Sequence, residues 1–153
     1  MREARVVATS LDVRPDDARR ELARRELARR HLVDFSEYVF PWYRAAGHHR
    51  LVGEYLELVA DYVLSKGQTG IGRLLIEEPP RHGKTEQVSK QFPAYLFGRA
   101  ARRFTTADIR IILTSYNADL ATSNSRAVRE ILGLQRYSAV FGELGTVDAP
   151  VVV

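Results

Sequence analysis

Between Leu74 and Thr85 the chain passes from three aliphatic residues, Leu74-Leu75-Ile76, through Glu78-Pro79-Pro80-Arg81-His82, to Gly83-Lys84-Thr85. From Thr85 towards Phe97 the spacing turns helical. A short apolar run bounded by turn residues reads as a buried strand, here over 73–77. A strand that ends in a turn holding Gly-Lys-Thr and then enters a helix has the geometry of a phosphate-binding loop. Backbone N–H groups of the turn and helix start converge on phosphate oxygens, and the helix dipole adds attraction. Gly83 lets the backbone pass close to a phosphate without a Cβ. Lys84 offers a mobile charge to the β- and γ-phosphates, and Thr85 a hydroxyl to the Mg²⁺ that bridges them. The usual motif opens with glycine five residues before its Gly-Lys; Glu78 stands there in this chain. Pro79 and Pro80 fix two φ angles, so the loop starts stiffly.

The rest of the chain is read around this centre. Ile111-Ile112-Leu113-Thr114 reads as a second buried strand. Asp119–Leu132 reads as a helix with Leu120, Val128, Ile131 and Leu132 on its apolar side. Strand, helix, strand, helix in that order predicts an α/β fold, a partial parallel sheet of P-loop NTPase type with right-handed crossovers. N-terminal helices precede it. Pro15 with Asp16 and Asp17 marks a helix start, and Asp16–Arg20, Glu21–Arg25 and Glu26–Arg30 are acid-first i,i+4 pairs. Ala23, Leu27, His31 and Phe35 form a narrow apolar stripe. A second amphipathic helix spans His49–Leu64, with Leu51, Tyr55, Leu58, Val59 and Tyr62 at helical spacing. The expected organisation is a flexible tail over 1–14, a helical segment over 15–64, the first half of an ATPase core over 65–144, and an unstructured or aberrant end over 145–153.

Composition narrows the function classes. A chain of 153 residues, 45% apolar and 27% charged, suits one globular domain with a real core. It contains no cysteine, which removes disulfides, thiolate–zinc sites and thiol nucleophiles. No apolar run approaches the ~20 residues of a membrane-spanning helix, and the start of the chain lacks the apolar core of a secretory signal. Lys plus Arg is 23 against 19 acids, net +4; only Lys66, Lys84 and Lys90 are lysines, and the rest are arginines. Arginine suits phosphate contact, yet Glu21 and Glu26 interrupt the basic run of the first helix. A solvated helix is favoured there over a DNA-binding arm.

Glu78-Pro79-Pro80-Arg81-His82-Gly83-Lys84-Thr85 resembles the variant Walker A motif of phage terminase large subunits, the motors that package viral DNA. Upstream, His48-His49-Arg50-Leu51 resembles the segment before that family's loop. Downstream, Leu113–Ala121 and Ser125–Arg129 resemble its second strand and following helix. The likeness spans about Phe35 to Phe141. It implies ATP and Mg²⁺ as cofactors, with Pro80, Arg81, His82, Gly83, Lys84, Thr85 and Glu86 around the nucleotide. Lys84 and Arg81 are the candidate catalytic groups, Arg81 through the γ-phosphate, and Thr85 is the candidate Mg²⁺ ligand. Trp42, Tyr43 and His49 are candidates for stacking on adenine, and Ser115 and Tyr116 either line the site or cap the strand. The resemblance further implies double-stranded DNA, a small terminase subunit and a portal ring as partners, a ring of identical subunits, and the cytoplasm of a bacterial host.

The second half of that pattern is not found. No apolar strand downstream of Lys84 ends in the Asp-Glu pair of a Walker B motif, and the nuclease carboxylates are absent too. The expectation is therefore an N-terminal fragment that binds nucleotide without efficient hydrolysis. Two alternatives stay open: another P-loop nucleic-acid translocase of helicase type, or a non-catalytic truncated regulator. A helicase would carry a glutamine motif upstream, where the nearby glutamine is Gln68, in a glycine-rich loop.

Overall fold

The structure, a computed structural model, describes residues 14–104 and 109–142. Six α-helices and one π-helix form it: α1 (Pro15–Arg30), α2 (Leu32–Val39), α3 (Gly47–Leu64), the π-helix (Thr85–Gln91), α4 (Phe92–Arg103), α5 (Ala118–Leu132) and α6 (Gln135–Phe141). The described residues contain no strand. The expected α/β class, with its parallel P-loop sheet, is thus corrected to an all-helical architecture. The cause lies in hydrogen bonding rather than in side-chain pattern. Residues 73–78 and 109–114 carry no regular secondary structure, yet their burial alternates: Leu74, Ile76, Ile111 and Leu113 turn inward, while Leu75 and Ile112 are 83% and 86% exposed. That is the period of a strand, but no ladder joins the two segments.

α1 starts at Pro15, with Asp16 and Asp17 in its first turn, where their charge opposes the positive helix end. The expected pairs Glu21–Arg25 and Glu26–Arg30 form at 2.9 and 2.7 Å, and Arg29 also reaches Glu26 at 3.1 Å. Asp16 reaches Arg19 rather than the expected Arg20. At His31 the backbone turns extended (φ −123°, ψ 130°) and α2 folds back, so that Tyr38 donates to Glu21 at 2.5 Å and Arg25 donates to Tyr38 at 3.1 Å. This reversal breaks the expected Ala23–Leu27–His31–Phe35 stripe: Ala28, Leu32 and Phe35 are buried, and Leu27 is not.

The core is aromatic. Phe35 of α2, Tyr95 of α4, and Tyr137 and Phe141 of α6 meet with ring centres 5.2–6.1 Å apart, a range in which edge and tilted pairs attract. Their hydroxyls are satisfied: Tyr95 donates to the Arg30 carbonyl at 2.6 Å and Tyr137 to that of Ala94 at 3.0 Å. Burial pushes both phenols well above the ordinary tyrosine range. Leu56, Val128, Ile131 and Val140 complete this cluster. α6, seven residues long, has no counterpart in the reading of the sequence.

α3 is a helix where one was expected, but its buried face is different. Gly53, Leu56, Ala60 and Leu64 point inward, whereas Leu51, Tyr55, Leu58 and Tyr62 remain largely exposed. Gly53 is there for closeness: a Cβ would come within 2.8 Å of the Val33 side chain. The run from Thr85 to Arg103 is helical throughout, and its π-wound first part has a cause. Pro93 cannot donate to the preceding turn, and its ring would strike the carbonyl four residues back in an α winding. The wider π turns move that carbonyl aside.

Candidate functional site

The segment after Ile76 builds the site almost alone. Pro79 and Pro80 lead into a turn in which Arg81 takes φ +68° and Gly83 φ +86°. Lys84 then enters the helix at φ −50°, ψ −51°. Alternation of left- and right-handed residues aims successive N–H groups to one side, the geometry of an anion-binding nest. The first helical bond runs from the Gln87 amide to the Gly83 carbonyl at 2.9 Å. The amides of Gly83, Lys84, Thr85 and Glu86 find no acceptor among the described residues. Residues Glu78 through Glu86 line a concavity of about 380 Å³, within the size range of small-ligand sites. Pro80, Arg81, His82, Gly83, Lys84, Thr85 and Glu86, all named from the sequence, are therefore in its wall.

Charge in the wall is mixed. Lys84 and Arg81 are exposed or nearly so and make no ion pair among the described residues. Glu86 is engaged by Lys90 at 2.7 Å, so its charge is offset. Glu78 is the discordant group: both carboxylate oxygens are buried without a hydrogen-bond partner. It occupies the place where the usual motif has glycine.

The loop is held from behind by α3. The Nε2 atoms of His49 and His48 lie 2.9 and 3.2 Å from the His82 carbonyl, and 3.1 Å from one another. His49 Nδ1 accepts from the Ala46 amide at 3.0 Å, at the start of α3. Glycine is the only residue type that fits beside this ring at position 83, since a Cβ on Gly83 would sit 2.6 Å from His49 Nε2. The His82 ring turns back to the Pro80 carbonyl at 3.1 Å. On the other flank, Gln87, fully buried, donates to the His49 carbonyl at 2.7 Å. Ser36 donates to Gln91 at 2.9 Å, fixing the next turn to α2. His82, named from the sequence only as part of the nucleotide's surroundings, meets α3 through its carbonyl. Sequence reasoning missed His48 and Gln87; neither has a local signal, because each acts on residues more than thirty positions away.

The three aromatic candidates separate. Tyr43 is buried, its ring 5.7 Å from that of His49; burial first, and then the charge of Glu37, raise its phenol. Trp42 is 70% exposed and borders Phe40 and Tyr43. His49 faces the loop backbone. Ser115 and Tyr116 do not join the concavity, and Tyr116 is 93% exposed. Among the described residues no group of three acidic or imidazole side chains is placed to hold a metal, and no helix is long and apolar enough to cross a membrane. Comparison with known protein families, curated proteins and solved structures gave no match.

Proposed function

We propose that this chain binds the phosphates of ATP, with Mg²⁺, at the Glu78–Glu86 loop, and that it corresponds to the N-terminal ATPase part of a phage terminase large subunit. The observation that carries the reading is the row of four free amides, Gly83 to Glu86, at a helix start beside unpaired Lys84. Such a start favours negative charge through its N–H groups and its dipole. Lys84 would neutralise the outer phosphates, and the exposed Thr85 hydroxyl stands where a phosphate-bridging Mg²⁺ is held. The Arg81 guanidinium is free to turn towards the same anion. ATP would supply the energy of its terminal phosphoanhydride to the intact motor.

The residues that fit binding fit turnover less well. The one carboxylate in the wall without a partner is Glu78, at the end of the segment that enters the loop. Phosphate binding without efficient hydrolysis is the expected behaviour. Double-stranded DNA, a small subunit, a portal ring, assembly into a ring and action in the bacterial cytoplasm belong to the same proposal and rest on the motif resemblance.

The test is Mg²⁺-dependent binding of a fluorescent ATP analogue to the whole chain and to Lys84→Ala. Losing a point charge from a phosphate site removes a charge-assisted contact of about 1.5–3 kcal/mol, or roughly 10- to 150-fold in Kd. Equal affinity in the two proteins, each with a native circular dichroism spectrum, would refute the site.

A further inference from the structure

We propose that His49 is a positioning residue for the phosphate loop, and that it holds the loop only as a neutral imidazole protonated at Nε2. This rests on the phosphate-binding reading of the loop. The hydrogen bonds leave little choice of tautomer. Nδ1 faces the Ala46 N–H at 3.0 Å and must accept. The proton of a neutral ring is then on Nε2, 2.9 Å from the His82 carbonyl, to which it donates. The missing Cβ of Gly83 makes room for that contact at the residue that opens the loop's anion-facing side. One ring thus caps α3 with one nitrogen and sets the loop backbone with the other.

A second proton on His49 would place Nδ1–H against the Ala46 N–H, two donors head to head. The ring would have to turn, and Nε2 would leave His82. The His48 ring has its centre 4.0 Å away and its Nε2 aimed at the same carbonyl. Other groups around this point are few. Arg50 is next on α3 and is paired with Glu37 of α2. Tyr43 lies against the ring, within the field of Glu37, Glu78 and Glu86. His82 is turned to Pro80, and Lys84 follows Gly83 in the loop.

Two substitutions divide the functions of the ring. His49→Gln keeps a donor at the position of Nε2 and gives up the acceptor for Ala46. His49→Asn keeps the acceptor and gives up the donor. The expected result is that Gln binds the Mg²⁺–ATP analogue as wild type does at pH 7.5 but melts lower, while Asn melts higher than Gln yet binds at least about tenfold more weakly. Binding that follows the melting order overturns the proposal.

A ligand-free reading separates this from failure of the phosphate site. ¹⁵N spectra of the whole chain should show His49 unprotonated at Nδ1 at pH 7.5, with the Gly83 amide signal displaced in His49→Asn and not in His49→Gln. The opposite tautomer, or a Gly83 signal indifferent to His49, overturns the positioning role whether or not nucleotide binds. Absence of nucleotide binding with those signals present refutes the phosphate site alone.

Discussion

Gly98→Ala is a test in which two known effects oppose one another. Gly98 is in the middle of α4, where replacing glycine by alanine ordinarily stabilises by roughly 1 kcal/mol, because the unfolded chain has less freedom to lose. In this structure the new Cβ would lie 2.3–2.6 Å from Cγ, Cδ2 and Cε2 of Phe141. That ring cannot step aside easily, since Phe35, Tyr95 and Tyr137 surround it. Overpacking of a filled core costs about 1–3 kcal/mol. Packing should win, leaving a net loss of up to about 2 kcal/mol and a melting temperature lower by up to roughly 8 °C. Urea unfolding followed by tyrosine fluorescence reads the difference directly. The companion Phe141→Leu should cost stability in the wild-type background and much less when Gly98→Ala is already present, a coupling visible in a double-mutant cycle. If Gly98→Ala raises stability, Phe141 does not pack on α4, and the placement of α6 is wrong.

Two further outcomes follow from the fold. Tyr95 and Tyr137 keep their protons in the folded state, so folding stability is intact below the ordinary tyrosine value near 10 and is lost as pH rises above it. Alkaline difference spectra should show these two phenols ionising together with unfolding; their ionisation in the folded chain would contradict the aromatic core. The alternating burial of the segments read as strands is tested by a pair of serines: Ile76→Ser should destabilise by about 2 kcal/mol or more, and Leu75→Ser by less than about 0.5 kcal/mol, with the reverse order showing that the segment's register is misplaced.

Much of the helical structure was legible because its signals are local. Pro15 with two acids fixes the start of α1, and apolar spacing placed a helix over Asp119–Leu132, where α5 runs from Ala118 to Leu132. The inward face of α3 was not legible. Hydropathy chose the large residues Leu51, Tyr55, Leu58 and Tyr62, while close approach to α2 selected Gly53 and packing against Leu96 and Ala100 of α4 selected Ala60, and neither carries much hydrophobic weight. The sheet was misread for a related reason: Leu74-Leu75-Ile76 and Ile111-Ile112-Leu113 have the side-chain period of strands, but pairing belongs to two segments at once and no single segment encodes it. The site divides the same way. Gly83, Lys84 and Thr85 announce phosphate chemistry by their order, whereas the hold of His48 and His49 on His82 exists only after α3 has been laid behind the loop.

The π winding of Thr85–Gln91 sets how insertions and deletions would be received. Bonding from i to i+5 takes up one more residue in each ring than bonding from i to i+4. The stretch just behind the loop therefore carries slack that the rest of the helix lacks. Removing one residue there would be absorbed by tightening the turns that precede the one clearing Pro93, with Tyr95, Leu96 and Ala100 still facing the core. The same removal after Pro93 would swing every later side chain by about 100° about the axis and carry Gly98 away from Phe141. The segment works as an expansion joint, separating the spacing of the anion loop from the register of the helix that anchors it.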